Sequence, residues 1–262
     1  MPEPVTDSKG RFQVEKDMKF AIKSIVAATA FVAAGLASAA TVTVAAGATM
    51  SGSGALSFSE NLRDALNVGS VAVTAFGGAT SNIVGSVGSY TEITIGAPIA
   101  SLEYDDVTNQ VSRVVTTGGA RQVAGTVAGV SGGGWAEVGN LDVRLDTMEI
   151  FGTIQGQSLS GVSVNFSGKL FDIGGLTGDT VYQPGTALTQ LTGLALTTDG
   201  FTQIKKALDL KVLGSAALQA AAEDFGVINS SITVAVPEPS TYALVGAGLL
   251  SVLVARRRRT AK

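Results

Sequence analysis

The sequence predicts a mainly β protein: an antiparallel, sandwich-like domain with one or two short late helices, between an N-terminal signal helix and a C-terminal transmembrane helix. Three observations carry this. Short β-favourable runs recur between Gly-rich breaks, the punctuation of a many-stranded sheet. Several runs alternate apolar and polar residues with a period of two, which puts one face on a core and one in water. The apolar fraction, 45%, is too high for a disordered chain, yet aromatics supply only 6% of residues, so the core must be aliphatic.

Taken in order, residues 1–17 are polar and charged, unlike the start of a secretory signal. They read as an extension from an upstream start, with Met18 as the true one. Residues 18–39 read as a signal peptide: a basic opening from Met18 to Lys23, an apolar run from Ile25 to Leu36, and Ala37-Ser38-Ala39 as a small-x-small cleavage site. Cutting falls after Ala39 or, one residue later, after Ala40. Residues 40–54, with Ala-Gly-Ala-Thr-Met-Ser-Gly-Ser-Gly at their end, read as a mobile linker.

Residues 55–236 form the expected β-rich domain. Strands are predicted near Thr41 to Ala45, Val71 to Phe76, Glu92 to Ile95, Gln110 to Thr116 and Gln122 to Val127. Turns are predicted at Gly77-Gly78, Gly118-Gly119, Gly132 to Gly134 and Gly174-Gly175. The second half is clearer. Leu141, Val143 and Leu145 alternate with Asp142, Arg144 and Asp146; Thr147-Met148 then turns the chain into Glu149 to Ile154. Val162, Val164 and Phe166 alternate with Ser163, Asn165 and Ser167, and Thr189 to Leu196 and Ile232 to Val236 complete the strands. Two helices are predicted late. Thr198-Asp199-Gly200 offers cap chemistry before Phe201, Ile204, Ala207 and Leu208, and Ser215 caps a second from Ala216 to Phe225.

The last 27 residues change character. Pro237 and Pro239 bracket Glu238, and each proline holds the residue before it extended, leaving a backbone that a processing enzyme can grip. Residues 241–255 carry no charge and would span about 22 Å as a helix, short of the ~30 Å hydrocarbon core. Gly246 and Gly248 weaken that helix further. Arg256, Arg257, Arg258 and Arg259 then act as a stop-transfer cluster, which stays cytoplasmic and turns the Pro-Glu-Pro end outward.

Residues 237–262 closely resemble the PEP-CTERM sorting signal, the tail that marks exosortase substrates in Gram-negative bacteria that make exopolysaccharide. The resemblance rests on Pro237, Glu238, Pro239 and Ser240, the Gly-containing apolar run and the Arg cluster. It implies export through the Sec machinery, a transient membrane anchor, cleavage by exosortase near the motif, and release or attachment at the cell surface or in the extracellular matrix.

Composition narrows the chemistry. The chain has no cysteine and no histidine, which removes disulfides, thiol catalysis, the Ser-His-Asp triad and the common zinc and haem ligands. Residues 40–236 hold eight Lys and Arg against sixteen Asp and Glu, so the exported part is acidic and unsuited to nucleic acid. Asp105 and Asp106, beside Glu103 and Asn109, are the densest carboxylate group and a weak calcium candidate; they lack the spacing of a calcium loop, and a solvated turn explains them equally well. A glycosidase would need paired carboxylates across a cleft, but Asp142 and Asp146 look solvent-facing. Trp135, the only tryptophan, is either a sugar platform or a sheet-end aromatic. No catalytic residue and no cofactor are expected. The reading is a non-enzymatic exported protein, structural or adhesive in exopolysaccharide or biofilm. The alternatives are a carbohydrate-active enzyme and a small-ligand or calcium-binding module.

Overall fold

Alternation along the strands builds the core, and closure of the sheet on itself gives the core its shape. The computed structural model describes residues 40–47 and 49–235. The elements, in order, are β1 (Thr41–Ala45), β2 (Met50–Phe58), α1 (Glu60–Val68), β3 (Ala72–Phe76), β4 (Thr80–Val84), β5 (Glu92–Asp105), β6 (Val111–Thr116) and β7 (Gly119–Ala124). There follow β8 (Gly134–Arg144), β9 (Glu149–Ser158), β10 (Ser163–Gly178), β11 (Gly185–Leu196), α2 (Thr198–Ala207), α3 (Val212–Ala222) and β12 (Gly226–Val234).

The mainly β, antiparallel expectation holds, but the sheet is a barrel, not a sandwich. Eight strands make a closed circuit, β5–β2–β12–β11–β10–β9–β8–β6 and back to β5. The stitch is β6, whose Val114 pairs with Leu102 on one side and with Val143 on the other. Without it the stretches of β5 and β8 that it pairs with would be open edges; with it the circuit closes. Further strands extend the ladder at one place: β7 and β3 beyond β8, and β4 and β1 on β5.

Leu141, Val143 and Leu145 point inward, as their spacing predicts, and Val143 is buried to 6% exposure. Asp142 and Arg144 point out. The predicted turn at Thr147-Met148 is present, with Met148 at φ +56°. Gly77 and Gly78 make the β3–β4 turn at φ +64° and +87°, values open to glycine at no steric cost.

Four expectations change. Residues 40–54, expected to be a linker, carry β1 and the first half of β2; both run beside β5, and β2 is also paired along its length with β12. Its Gly-Ser composition hides a strand whose shape comes from two neighbours, not from propensity. Gly174-Gly175 is no turn, because β10 runs straight through it. The last helix starts at Val212 with Lys211 as N-cap, and Ser215 Oγ instead donates to the Leu210 carbonyl inside the first turn. An early helix, α1, was not expected. Ser59 caps it by accepting from Leu62 N–H, and Leu62 and Leu66, four apart, bury its inner face.

The three helices gather at one end of the barrel. α1 follows the end of β2, α2 follows the end of β11, and α3 leads into β12, whose Gly226 pairs with Phe58. α1 packs on α3, and α2 lies against β8, β9 and β10. The approach of α2 is close: a Cβ on Gly156 would sit 2.7 Å from Ala207 Cβ. Among the described residues no helix is long and apolar enough to cross a membrane. The expected signal peptide, the Pro-Glu-Pro motif and the transmembrane helix at 241–255 lie outside the described residues.

Candidate functional site

The inward faces of the strands do not fill the barrel. They leave an apolar cavity of about 100 Å³ running along its axis. Its floor, at the helix end, is aromatic: Phe225 lies 5.0 Å from Phe171 and 6.5 Å from Phe58, centroid to centroid, both tilted. Its walls are aliphatic, with Leu56, Ile95, Ile99, Val143, Leu191 and Ile228 among them. Small residues at inward positions, Gly54, Ala97 and Ala187, make the room.

Toward the other end the lining becomes accessible. Leu191 and Ile228 are buried, whereas Ala187, Thr189, Ser230 and Val234 on the same two strands are half-buried. The loop of residues 179–184, between β10 and β11, borders this mouth. It is held by the β5–β6 turn. Val111 N–H donates to the Thr180 carbonyl at 2.7 Å, Tyr182 N–H donates to the Asn109 carbonyl at 2.7 Å, and Gln110 Nε2 donates to Thr180 Oγ1. The Tyr182 ring stacks on Tyr104 at 4.3 Å and 16°. Burial pushes the Tyr182 hydroxyl above its ordinary pKa, with a smaller contribution from Tyr104.

Asp105 belongs to this arrangement. Its Oδ1 accepts from Val107 N–H at 3.0 Å, Thr108 N–H at 2.7 Å and Thr108 Oγ1 at 2.9 Å, so it caps the turn that holds the mouth loop. Those bonds, led by the Thr108 backbone, hold its carboxyl below the usual 3.8. These bonds are those of a turn residue. Among the described residues no group of three or more acidic side chains is placed to hold a metal ion.

Several other carboxylates are engaged by cations on the same or a neighbouring strand. Arg113 donates to Asp142 Oδ1 at 2.6 Å and Oδ2 at 2.9 Å, and to Glu103 Oε1 at 2.8 Å. Asp142 is thus less solvent-facing than its alternation suggests, with its side chain 16% exposed. Burial works to raise its pKa, but the hydrogen bonds and charges of Arg113 and Arg144 outweigh that and lower it. Lys169 bridges Glu149 at 2.9 Å and Asp172 at 2.7 Å, and its hydrogen bond lowers Glu149 as well. The downward shifts of Asp142 and Glu149 are opposite to what a general acid needs.

Trp135 stands on the outer face, paired with the exposed Val123 and Gln157. The Arg121 guanidinium covers its ring at 4.7 Å and also bonds Glu137 at 2.9 Å. The guanidinium thus occupies one face of the ring that a sugar would stack on. The Gly132 to Gly134 loop is a packing device: Ser131 Oγ donates to the Leu208 carbonyl at 2.7 Å and accepts from Gly133 N–H at 2.9 Å. A Cβ on Gly134 would stand 2.2 Å from the Ala207 carbonyl oxygen. That places the loop at the C-terminal end of α2, whose dipole repels anions.

The cavity was not found from sequence. No local pattern marks it, because its walls come from strands spread between residues 54 and 234.

Comparison with known proteins adds the following. The PEP-CTERM protein-sorting motif family matches residues 235–259. No curated protein matches the chain. A solved structure, the C-terminal domain of HtaA from Corynebacterium glutamicum, overlays with a TM-score of 0.44 at 10% identity, covering 71% of this chain and 98% of that one. The motif marks a chain for export, for a membrane-anchored precursor and for processing by exosortase.

Proposed function

We propose that this PEP-CTERM protein delivers its barrel, intact after cleavage at Pro237 to Pro239, to the surface or exopolysaccharide matrix of a Gram-negative bacterium, where it has a structural or adhesive role and no enzymatic one. The carrying observation is a boundary. The matched motif starts at residue 235, and the last strand ends at Val234. Processing at the motif therefore leaves every described strand in place. The ionic groups of the outer face support a non-catalytic reading, since Glu103, Glu137, Asp142 and Glu149 all pair with Arg or Lys. Asp179, exposed at the mouth, is the one carboxylate among the described lining residues, which argues against the paired carboxylates of a glycosidase there.

The sorting step is tested by Glu238→Ala. The variant should accumulate as an uncleaved, membrane-bound precursor; release at the normal rate would count against exosortase reading this motif. The role of the delivered barrel is tested by polysaccharide pull-down followed by assay of reducing-sugar release. Retention without release supports it, and release abolished by a single Asp→Asn change would replace it with an enzyme.

A further inference from the structure

We infer that the barrel lumen takes up the end of one phospholipid acyl chain from the bilayer that anchors the precursor. The inference rests on the anchored precursor proposed above.

The first ground is that the lumen is unfilled without a backbone reason. Gly54 is an inward residue in the middle of β2, and a Cβ there would meet only Ile228 Cγ2, at an ordinary 3.8 Å. Gly52 and Gly119 differ, since a Cβ would come within 2.5 Å of the Ser231 carbonyl oxygen and 2.2 Å of the Val138 carbonyl oxygen. Those two glycines are needed by the backbone; Gly54 leaves room that a leucine would occupy. Apolar voids cost stability in proportion to their volume. The space is of the order that holds a small apolar group: an apolar cavity of ~150 Å³ stays dry and binds benzene.

The second ground is where the mouth lies. Val234 pairs with Gly185, the residue directly after the mouth loop, and Ala235 N–H donates to the Thr49 carbonyl at 2.9 Å. The chain therefore leaves the barrel beside its opening. The uncharged segment begins at Thr241, six residues on, and six residues reach at most ~20 Å. An anchor seated in the membrane would keep the open end of the lumen within that reach of the bilayer surface.

The third ground is charge. The lining holds no Lys or Arg, and its one acidic residue, Asp179, stands exposed at the mouth. A free fatty acid would set its carboxylate against Asp179 with no cation to receive it. A zwitterionic phospholipid leaves its headgroup at the interface and sends only apolar carbons inward.

The test uses the full chain reconstituted in phosphatidylcholine vesicles that contain a trace of phosphatidylcholine with a diazirine near the end of one acyl chain. After irradiation, cross-linked peptides are mapped by mass spectrometry. Adducts are expected on inward residues of β2, β11 and β12 as well as on the C-terminal segment. Gly54→Leu should cut the barrel adducts about tenfold by filling the space, and leave the C-terminal ones unchanged. Ala187→Leu, at the half-buried mouth, gives a second blocked variant should the first misfold; circular dichroism and a thermal melt report folding of both. Adducts confined to the C-terminal segment would overturn the lumen site and leave the anchor standing. Failure of the chain to float with the vesicles would remove both. Equal loss of barrel adducts on adding a stoichiometric free fatty acid would overturn the phospholipid as occupant.

Discussion

At the helix end of the barrel Phe58, Phe171 and Phe225 are 6%, 3% and 3% exposed and sit beneath three packed helices. At the opposite end the closure is one loop, held to a turn by two backbone hydrogen bonds, a side-chain bond and one tyrosine stack. Both ends cap the same lumen, but the first is buried and heavily packed while the second is half-buried and held mainly by polar contacts. Stability scales with apolar burial, so the helix end carries the fold and the tail end is free to serve access.

That contrast can be broken. Phe225→Ala should cost about 3–5 kcal/mol, from lost burial plus the cavity left beside Phe58 and Phe171. Tyr182→Ala should cost only ~0.5–1.5 kcal/mol, chiefly the stack on Tyr104. Chemical denaturation of the two variants measures both, and equal losses would mean that the tail end is as structural as the helix end.

The outer face sharpens the comparison at smaller scale. Asp142→Asn should cost about 0.5–1 kcal/mol, since the Arg113 side chain is 37% exposed and solvent screens the pair. Because the folded pKa of Asp142 is lowered, this contribution is present above the ordinary value of 3.8 and is lost as pH falls through the lower folded value. Denaturation at pH 7 and again in strong acid should therefore show the difference between wild type and variant shrink toward zero.

The smallest effect belongs to Asp105, and it should be local. Asp105→Ala should leave the melting temperature nearly unchanged but speed amide exchange at Val111 and Tyr182, whose N–H groups tie turn to loop. Acid should do the same to the wild type, because the Asp105 carboxyl is also lowered and its caps are lost as pH falls through its folded pKa. Faster exchange at Phe225 in the same variant would break the separation of the two ends.

Much of the strand content was legible because it is local. Leu141, Val143 and Leu145 needed only their own alternation to be placed inward. Ser59, with Leu62 and Leu66 behind it, is equally local: a cap and a helical spacing. What was not legible depends on distant partners. Met-Ser-Gly-Ser-Gly-Ala-Leu-Ser-Phe at 50–58 has weak strand propensity and becomes β2 because β5 and β12 flank it. Barrel and sandwich differ here by three residue pairs between β6 and β8, from Arg113↔Arg144 to Val115↔Asp142, and no pattern inside either strand announces them. The cavity is a further step removed, being the space that remains once all those pairings are made.

The pairing of β2 with β12 also fixes an order of events in time. Ring closure joins residues 50–58 to residues 226–234, nearly the full span of the domain, and contacts of such long sequence separation form slowly. A chain that leaves the cell N-terminus first presents β12 last. Until then β2 has β5 as its neighbour on one side and an unsatisfied edge on the other, the kind of edge that recruits other chains. The stretch that would hold the polypeptide at the membrane follows within a few residues of β12. Tethering would thus coincide with the moment the barrel can first close.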